Sequence, residues 1–329
     1  MKKINAFLAG LVAAVLSLAI SCNTSSVLSS AAAKPTLNFD KVSIKSLDAE
    51  GITFNCNYSV KNPYPIGISL SKVAADVSCN SSKLTSISAN EGVSISANKS
   101  KSNAFDFKIP YDSIISFAKT YKESKTLPFT VKGNVALGNL PLISSLNLPF
   151  TKNFDVPVFK PNLKISNPKL VLPSVSEITK SLTDGGMSLS KAGSLAKSIV
   201  TGQKIDESAL SGVNLNMKLN FNLDVANDGG SDWKYALKSC GIKADGVSDI
   251  LSLDTSSASE IGSSGGSIPL SATLNTMTAG KFIAQLLNKS GNNPTFSLDS
   301  ALSFPSLPSY ASNLPLTCTK ELSLSKIAR

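Results

Sequence analysis

The sequence predicts a mainly β protein: two tandem antiparallel β-sandwiches, each with a short helix, the second carrying a helical insertion. Three observations predict it. Ile52, Phe54, Cys56, Tyr58 and Val60 alternate with Thr53, Asn55, Asn57, Ser59 and Lys61, the period of two expected of a strand with one buried face. The pattern recurs in Leu215, Met217, Leu219, Phe221, Leu223 and Val225, which stop at Asn227 as the first strand stops at Asn62. Late in each copy the period lengthens to three and four. Tyr111, Ile114, Ile115, Ala118 and Tyr121 mark one amphipathic helix within residues 110–125, and Phe282, Ile283, Leu286 and Leu287 mark another within 277–287.

Composition bounds the rest. A chain of 329 residues has room for about two domains, and 42% hydrophobic against 16% charged residues is the balance of a folded protein. The net charge of +10 comes from singly scattered lysines with one arginine and no aromatic stacking signature, which excludes nucleic acid as the expected partner. No histidine is present, so the commonest general base is missing. Ser-x-x-Lys spacing occurs at Ser69/Lys72, Ser116/Lys119, Ser188/Lys191, Ser194/Lys197 and Ser323/Lys326, as composition alone produces, without the companion motifs of Ser–Lys hydrolases. No phosphate-binding glycine loop and no dense acidic cluster occurs. The expectation is a protein that is not an enzyme and takes no cofactor and no metal.

At the amino terminus, Lys2 and Lys3 precede an apolar run over residues 6–20, shorter than the ~20 residues a spanning helix needs, and residues 1–21 read as a signal peptide. Leu18-Ala19-Ile20-Ser21-Cys22 resembles a bacterial lipobox, with Ala19 standing where the usual pattern has Leu. That resemblance implies export and a lipid on Cys22, which becomes the first mature residue. Asn23 is not Asp, and the enteric sorting rule then implies the outer membrane. Ala31-Ala32-Ala33 offers a rival cleavage site that would leave a chain starting at Lys34. Residues 22–33, mostly Ser, Thr, Asn and Ala after Cys22 and without period, suit a flexible tether.

The first domain is expected over residues 34–159. It opens at Lys34-Pro35-Thr36-Leu37, and Val42 and Ile44 begin a strand that Gly51 turns into Ile52–Val60. Asn62-Pro63-Tyr64-Pro65 then ends the pairing, because proline donates no ladder hydrogen bond and holds its predecessor extended. Strands follow over 66–79, at Val93 and Ile95, and at Phe105, Phe107 and Ile109. After the helix come Phe129, Val131, Val135 and Leu137, and Leu148-Pro149-Phe150 with Phe154–Val158 closes the domain. A strand ending in Asn-Pro-Tyr-Pro, a small-residue turn before Phe105, one late helix and a closing Leu-Pro-Phe, in that order over residues 37–158, resemble the water-stress and hypersensitive-response domain of the late-embryogenesis-abundant type 2 (LEA type 2) family. The resemblance implies a sandwich of fibronectin- or immunoglobulin-like shape and a stress- or desiccation-associated role.

The second domain, residues 160–329, opens with a recurrence of the first, Lys160-Pro161-Asn162-Leu163. The copies start 126 positions apart but Asn62 and Asn227 lie 165 apart, so about 39 residues are inserted, placed at 173–212. There Val175, Ile178 and Leu182 fit one helix, Gly185-Gly186 breaks it, and Leu189, Ala192, Leu195, Ala196 and Ile199 fit a second beside Lys191 and Lys197. These helices form either a lid on the second domain or a surface for anionic lipid or a partner. The copy ends through Phe296, Leu314-Pro315-Leu316, Leu322 and Leu324, and has Asn227-Asp228-Gly229-Gly230 in place of Asn-Pro-Tyr-Pro. It is a degenerate copy.

Beyond Cys22, four cysteines remain: Cys56, Cys79, Cys240 and Cys318. In an exported chain they allow three connectivities, among them Cys56 with Cys79 and Cys240 with Cys318; the other reading is four buried thiols. Asn62, Pro63, Tyr64 and Pro65 are either a recognition loop or a strand terminator. Ile114, Ile115 and Tyr121, with Phe282, Ile283, Leu286 and Leu287, are either core or the lids of grooves that admit an acyl chain. The expected function is that of a membrane-anchored envelope lipoprotein that binds or stabilises under stress, with lipid binding or transfer as the alternative. The expected partners are the membrane, through the N-terminal lipid, and a lipid or an envelope protein.

Overall fold

The computed structural model describes residues 34–140, 143–210, 212–245, 247, 251–255, 260–307 and 311–328. The segments expected to be a signal peptide and a tether, and Cys22, lie outside the described residues. The elements in chain order are β1 (Thr36–Leu47), β2 (Gly51–Lys61), β3 (Ile68–Cys79), β4 (Ser82–Ile95), β5 (Ser100–Pro110), α1 (Tyr111–Tyr121), β6 (Thr126–Leu140) and β7 (Ile143–Pro157). Then come β8 (Pro161–Val171), α2 (Val175–Asp184), α3 (Leu189–Thr201), β9 (Asn216–Asn227), β10 (Lys234–Lys243), β11 (Leu251–Ser252), β12 (Gly266–Asn275), α4 (Thr276–Asn288), β13 (Thr295–Ser303) and β14 (Leu314–Glu321). The fold is mainly β and rich in sandwiches.

The strand orders repeat. The first copy lays β1-β2-β5 in one sheet and β4-β3-β6-β7 in the other; the second lays β8-β9-β12 in one and β11-β10-β13-β14 in the other. Each strand of the second copy thus takes the place of its counterpart in the first. The helix falls at the same point, α1 after β5 and α4 after β12. Even the irregularity recurs: β3 shifts register between Leu70 and Lys72, and its counterpart β10 shifts between Leu237 and Ser239.

The chain forms two compact units that do not divide at residue 159. One comprises residues 34–43, Asn55–Phe107 and Pro128–Phe154; the other comprises Ile44–Phe54, Lys108–Leu127 and residues 155–328. The reason lies in pairing within the larger unit. The end of β1 adds to β14 in parallel, with Leu47 opposite Leu316, so short pieces of the first copy are built into the unit that holds the second.

In the smaller unit, the alternation of β2 and β3 places Cys56, Tyr58, Val60, Val73, Val77 and Cys79 at zero exposure. Rings join the two sheets: Phe39 of β1 stacks on Phe150 of β7 at 4.1 Å, and Phe105 of β5 lies 6.4 Å from the same ring. In the larger unit Phe221 of β9 meets Phe296 of β13 edge-on at 4.7 Å, again sheet to sheet. A second aromatic group gathers Tyr111, Trp233 and Phe304 around Phe159. Burying such rings is the main apolar contribution to a sandwich core.

Helices α2 and α3 and a 3-10 turn, Glu207–Leu210, fall within residues 173–212. Helix α2 begins with a capping box, Ser174 Oγ accepting from the Glu177 amide while the Glu177 carboxylate accepts from the Ser174 amide. Ile178, Leu182, Ala192, Ala196 and Ile199 are fully buried. Leu189, expected on the buried stripe of α3, is instead 72% exposed. It is the first residue of the helix.

Candidate functional site

Asn62 closes β2 as a fully buried hub. Its Oδ1 accepts the Tyr64 amide at 2.9 Å, and its Nδ2 donates to the carbonyls of Ile66, Ile95 and Ser96 at 2.8, 3.2 and 3.1 Å. Its own amide donates to Lys99. Tyr64 is buried, and Pro63 and Pro65 stiffen the loop between strands that the asparagine ties together. The geometry is that of a strand terminator rather than an offered recognition loop. The counterpart Asn227 makes the same turn in the second copy, with Oδ1 accepting the Gly229 amide two residues on and the Lys160 amide, each at 2.9 Å. Gly229 stands where Tyr64 stands in the first copy because the Val158 backbone passes against it and leaves no room for a Cβ.

The helix faces are core. Phe282, Ile283, Leu286 and Leu287 have 0–1% exposure, as does Ile114. Ile115 and Tyr121 are half-buried, Tyr121 stacking on Phe117 one turn earlier. Ile115 borders an open hollow of ≈250 Å³ beside Val158 and Asp228, below the roughly 300 Å³ at which ligand pockets begin. Leu287 borders a second open hollow, of ≈370 Å³, whose other lining residues are Gly202, Lys204, Asn288 and Lys289, a polar set that does not suit an acyl chain.

The four cysteines are separate, buried thiols. Cys240 of β10 and Cys318 of β14 both pair in register with Leu298 of β13, which lies between them. Two strand spacings of about 4.8 Å put their Cα atoms well beyond the ~7 Å a disulfide spans. Cys56 and Cys79 sit on opposite sheets, each at zero exposure. Burial pushes the thiols of Cys56 and Cys240 up to about 12 and raises those of Cys79 and Cys318. The expected result of an Ellman titration at pH 8 is therefore near-zero reaction in the native protein and four thiols beyond Cys22 after unfolding in guanidinium; two thiols or fewer in the unfolded chain would mean that bridges exist.

An open groove of ≈750 Å³ lies in the larger unit. Its floor is the outward face of β10, β13 and β14, with Ser239, Ser297, Asp299, Thr317 and Thr319; the β1–β2 turn, Asp48-Ala49-Glu50, forms one wall. These are the polar members of strands whose alternate residues, Phe296, Leu298, Leu316 and Cys318, form the core. The sequence reading took only the apolar set and missed the groove, although the same alternation carried the signal. Lys108 Nζ bridges Asp48 and Glu50 at 2.8 Å each. Burial works to raise the Asp48 carboxyl, but Lys108 and the amides of Glu50 and Gly51 outweigh it and hold it below the usual carboxylate range. Hydroxyls at strand spacing beside carboxylates can exchange hydrogen bonds with polyhydroxylated or cationic solutes. Among the described residues none of the five Ser–Lys pairs is hydrogen-bonded; Ser323 Oγ pairs with Ser325 Oγ instead.

The class this architecture defines is a mainly β, sandwich-built protein with a repeated strand order. Residues 57–153 match the family model described as late embryogenesis abundant protein, of the type 2 group, and the chain carries a LEA type 2-like domain there. Among solved structures, it is similar to an Arabidopsis thaliana protein in solution at 14% identity, covering 38% of this chain and 82% of that one, TM-score 0.33. It is similar also to a late embryogenesis abundant protein in solution, at 16% identity over 47% of this chain and 87% of that one, TM-score 0.31. A third is a protein from Archaeoglobus fulgidus at 9% identity, covering 38% and 95%, TM-score 0.29. No curated protein sequence matches the chain.

Proposed function

We propose that this chain is a non-enzymatic, stress-associated binding or stabilising protein of the bacterial cell envelope, held at the outer membrane by a lipid on Cys22. The LEA type 2-like domain supports a stress-associated role. The observation that carries the reading further is the contrast between the two faces of the sheets. Inner faces carry the buried apolar residues, whereas the outer face of β10, β13 and β14 presents Ser239, Ser297, Asp299, Thr317 and Thr319 along a wide groove. A surface of that kind exchanges hydrogen bonds with solutes or partner surfaces as water is withdrawn. Action is then through surfaces, and the tether sets where those surfaces work.

The test is Cys22→Ser in the full chain, expressed in a bacterial host and followed by fractionation and by drying. The wild-type chain is expected in the membrane fraction with an acylated Cys22, and the variant in the soluble envelope fraction. Cells carrying the wild type are expected to keep their envelope impermeable to dye after drying and rehydration, and cells with the variant to lose part of that protection. An unmodified mature chain starting at Lys34 would overturn the tether. Equal dye entry with and without the wild-type chain would overturn the stabilising role.

A further inference from the structure

Three lysines line one small hollow from three different elements. Lys164 of β8, Lys320 of β14 and Lys326 of the last 3-10 turn, Leu324–Lys326, line a space of ≈330 Å³ in which Glu321 is the single carboxylate. Lys83, Lys108, Lys125, Lys160 and Lys234 all have carboxylate partners, but among the described residues these three lysines have none. Asp224, opposite Lys164 in the ladder, accepts the Ser267 hydroxyl at 2.8 Å and makes no ion pair with Lys164. Neutral donors stand beside the ammonium groups. Asn293 spends its Oδ1 on the Leu324 amide at 3.2 Å, which leaves its side-chain N–H groups for another acceptor, and Ser323 Oγ, paired with Ser325 Oγ at 2.8 Å, lines the same space.

We propose that this hollow binds a phosphate group, whether of a free phosphate or of an anionic lipid headgroup. The chemistry follows from the donor set. Three lysines lining one space from separate elements, with an amide donor and a hydroxyl in the same lining, match a compact oxyanion that carries more than one charge and several acceptor oxygens. The space holds a phosphate with its substituent and some water; its rim is polar, so an acyl chain stays outside. Nothing in this depends on Cys22, because free phosphate reads the site in solution.

The experiment is a calorimetric titration of inorganic phosphate into the full chain and into the triple variant Lys164→Gln/Lys320→Gln/Lys326→Gln. A control triple, Lys61→Gln/Lys132→Gln/Lys238→Gln, removes the same charge from exposed positions elsewhere. The site triple is expected to weaken saturable phosphate binding about tenfold or more and the control by about twofold or less, since an exposed charge pair contributes a factor of roughly one and a half to five. An unchanged thermal midpoint shows that the variants are folded. In parallel, vesicles of phosphatidic acid in phosphatidylcholine are compared with phosphatidylcholine alone, reading the difference between the variants, which share one N terminus. Loss of phosphate binding with unchanged vesicle preference assigns a soluble phosphate; loss of vesicle preference without measurable free-phosphate binding assigns a headgroup. Equal weakening by the two triples, or no effect of the site triple in either measurement, overturns the proposal.

Discussion

Asn62→Asp is expected to lower the unfolding free energy by about 3–5 kcal/mol at pH 8, the cost of leaving buried carbonyls unpaired and placing an acid among them. The wild-type amide donates to three carbonyl oxygens in a site with no exposure. An aspartate has the same shape and only acceptors, so its carboxylate would face those oxygens with like partial charge. Protonation relieves this by restoring one donor, and the folded-state pKa of the new carboxyl therefore lies above its unfolded value near 3.9. The sign follows: the penalty is smallest below the unfolded pKa and grows as pH rises toward and through the folded one. Asn62→Ala removes the donors without adding a charge and is expected to cost about 2–4 kcal/mol with little pH dependence. Urea unfolding of both variants at pH 4 and pH 8 checks this. A penalty for Asn62→Asp that is larger at pH 4, or either variant within about 0.5 kcal/mol of wild type, would contradict the hub; that margin is typical of surface changes.

The repeat was legible because it is written twice, in the Lys-Pro openings and in two alternating strands that stop at asparagine. The structure extends it to the order of every strand and to the bulge in β3 and β10, which no periodicity reveals because a bulge is set by what the partner strand demands. Helix α1 was placed within residues 110–125 and α4 within one residue of each end, since a change of period from two to 3.6 is a strong local signal. What the sequence hid was anything decided across strands. Cys240 and Cys318 look like candidates for a bridge until Leu298 is found between them. The groove over β10, β13 and β14, and the hollow of Lys164, Lys320 and Lys326, depend on which outward positions become neighbours. Strand order alone settles that, and sequence spacing does not carry it. The discontinuous division of the chain was hidden for the same reason, because one parallel pairing of β1 with β14 assigns the end of β1 to the larger unit.

Phe282→Ala separates the two roles once open to α4. As a groove lid, the helix would lose ligand contact on truncation and keep its stability. As core, it should lose about 3–5 kcal/mol, because removing a buried phenyl forfeits its transfer energy and leaves a cavity that neighbours fill only in part. Phe282 is at zero exposure among Ile283, Leu286 and Leu287, and the helix that carries it is fixed at its start by Asn275, whose Oδ1 accepts the Met277 amide at 2.8 Å. Thr276 adds a second anchor from inside, accepting the Leu215 amide at 2.9 Å and donating to the Val213 carbonyl. A helix held at that many points has little freedom to settle into the vacated space, so the upper half of the range is expected. Trp233, the single tryptophan and 1% exposed, reports the transition as a red shift of its emission on unfolding, and the variant's curve should move to lower denaturant with an unchanged slope. A loss below about 1 kcal/mol would mean that the space under α4 tolerates vacancy, as a lid over a groove would and a packed core does not.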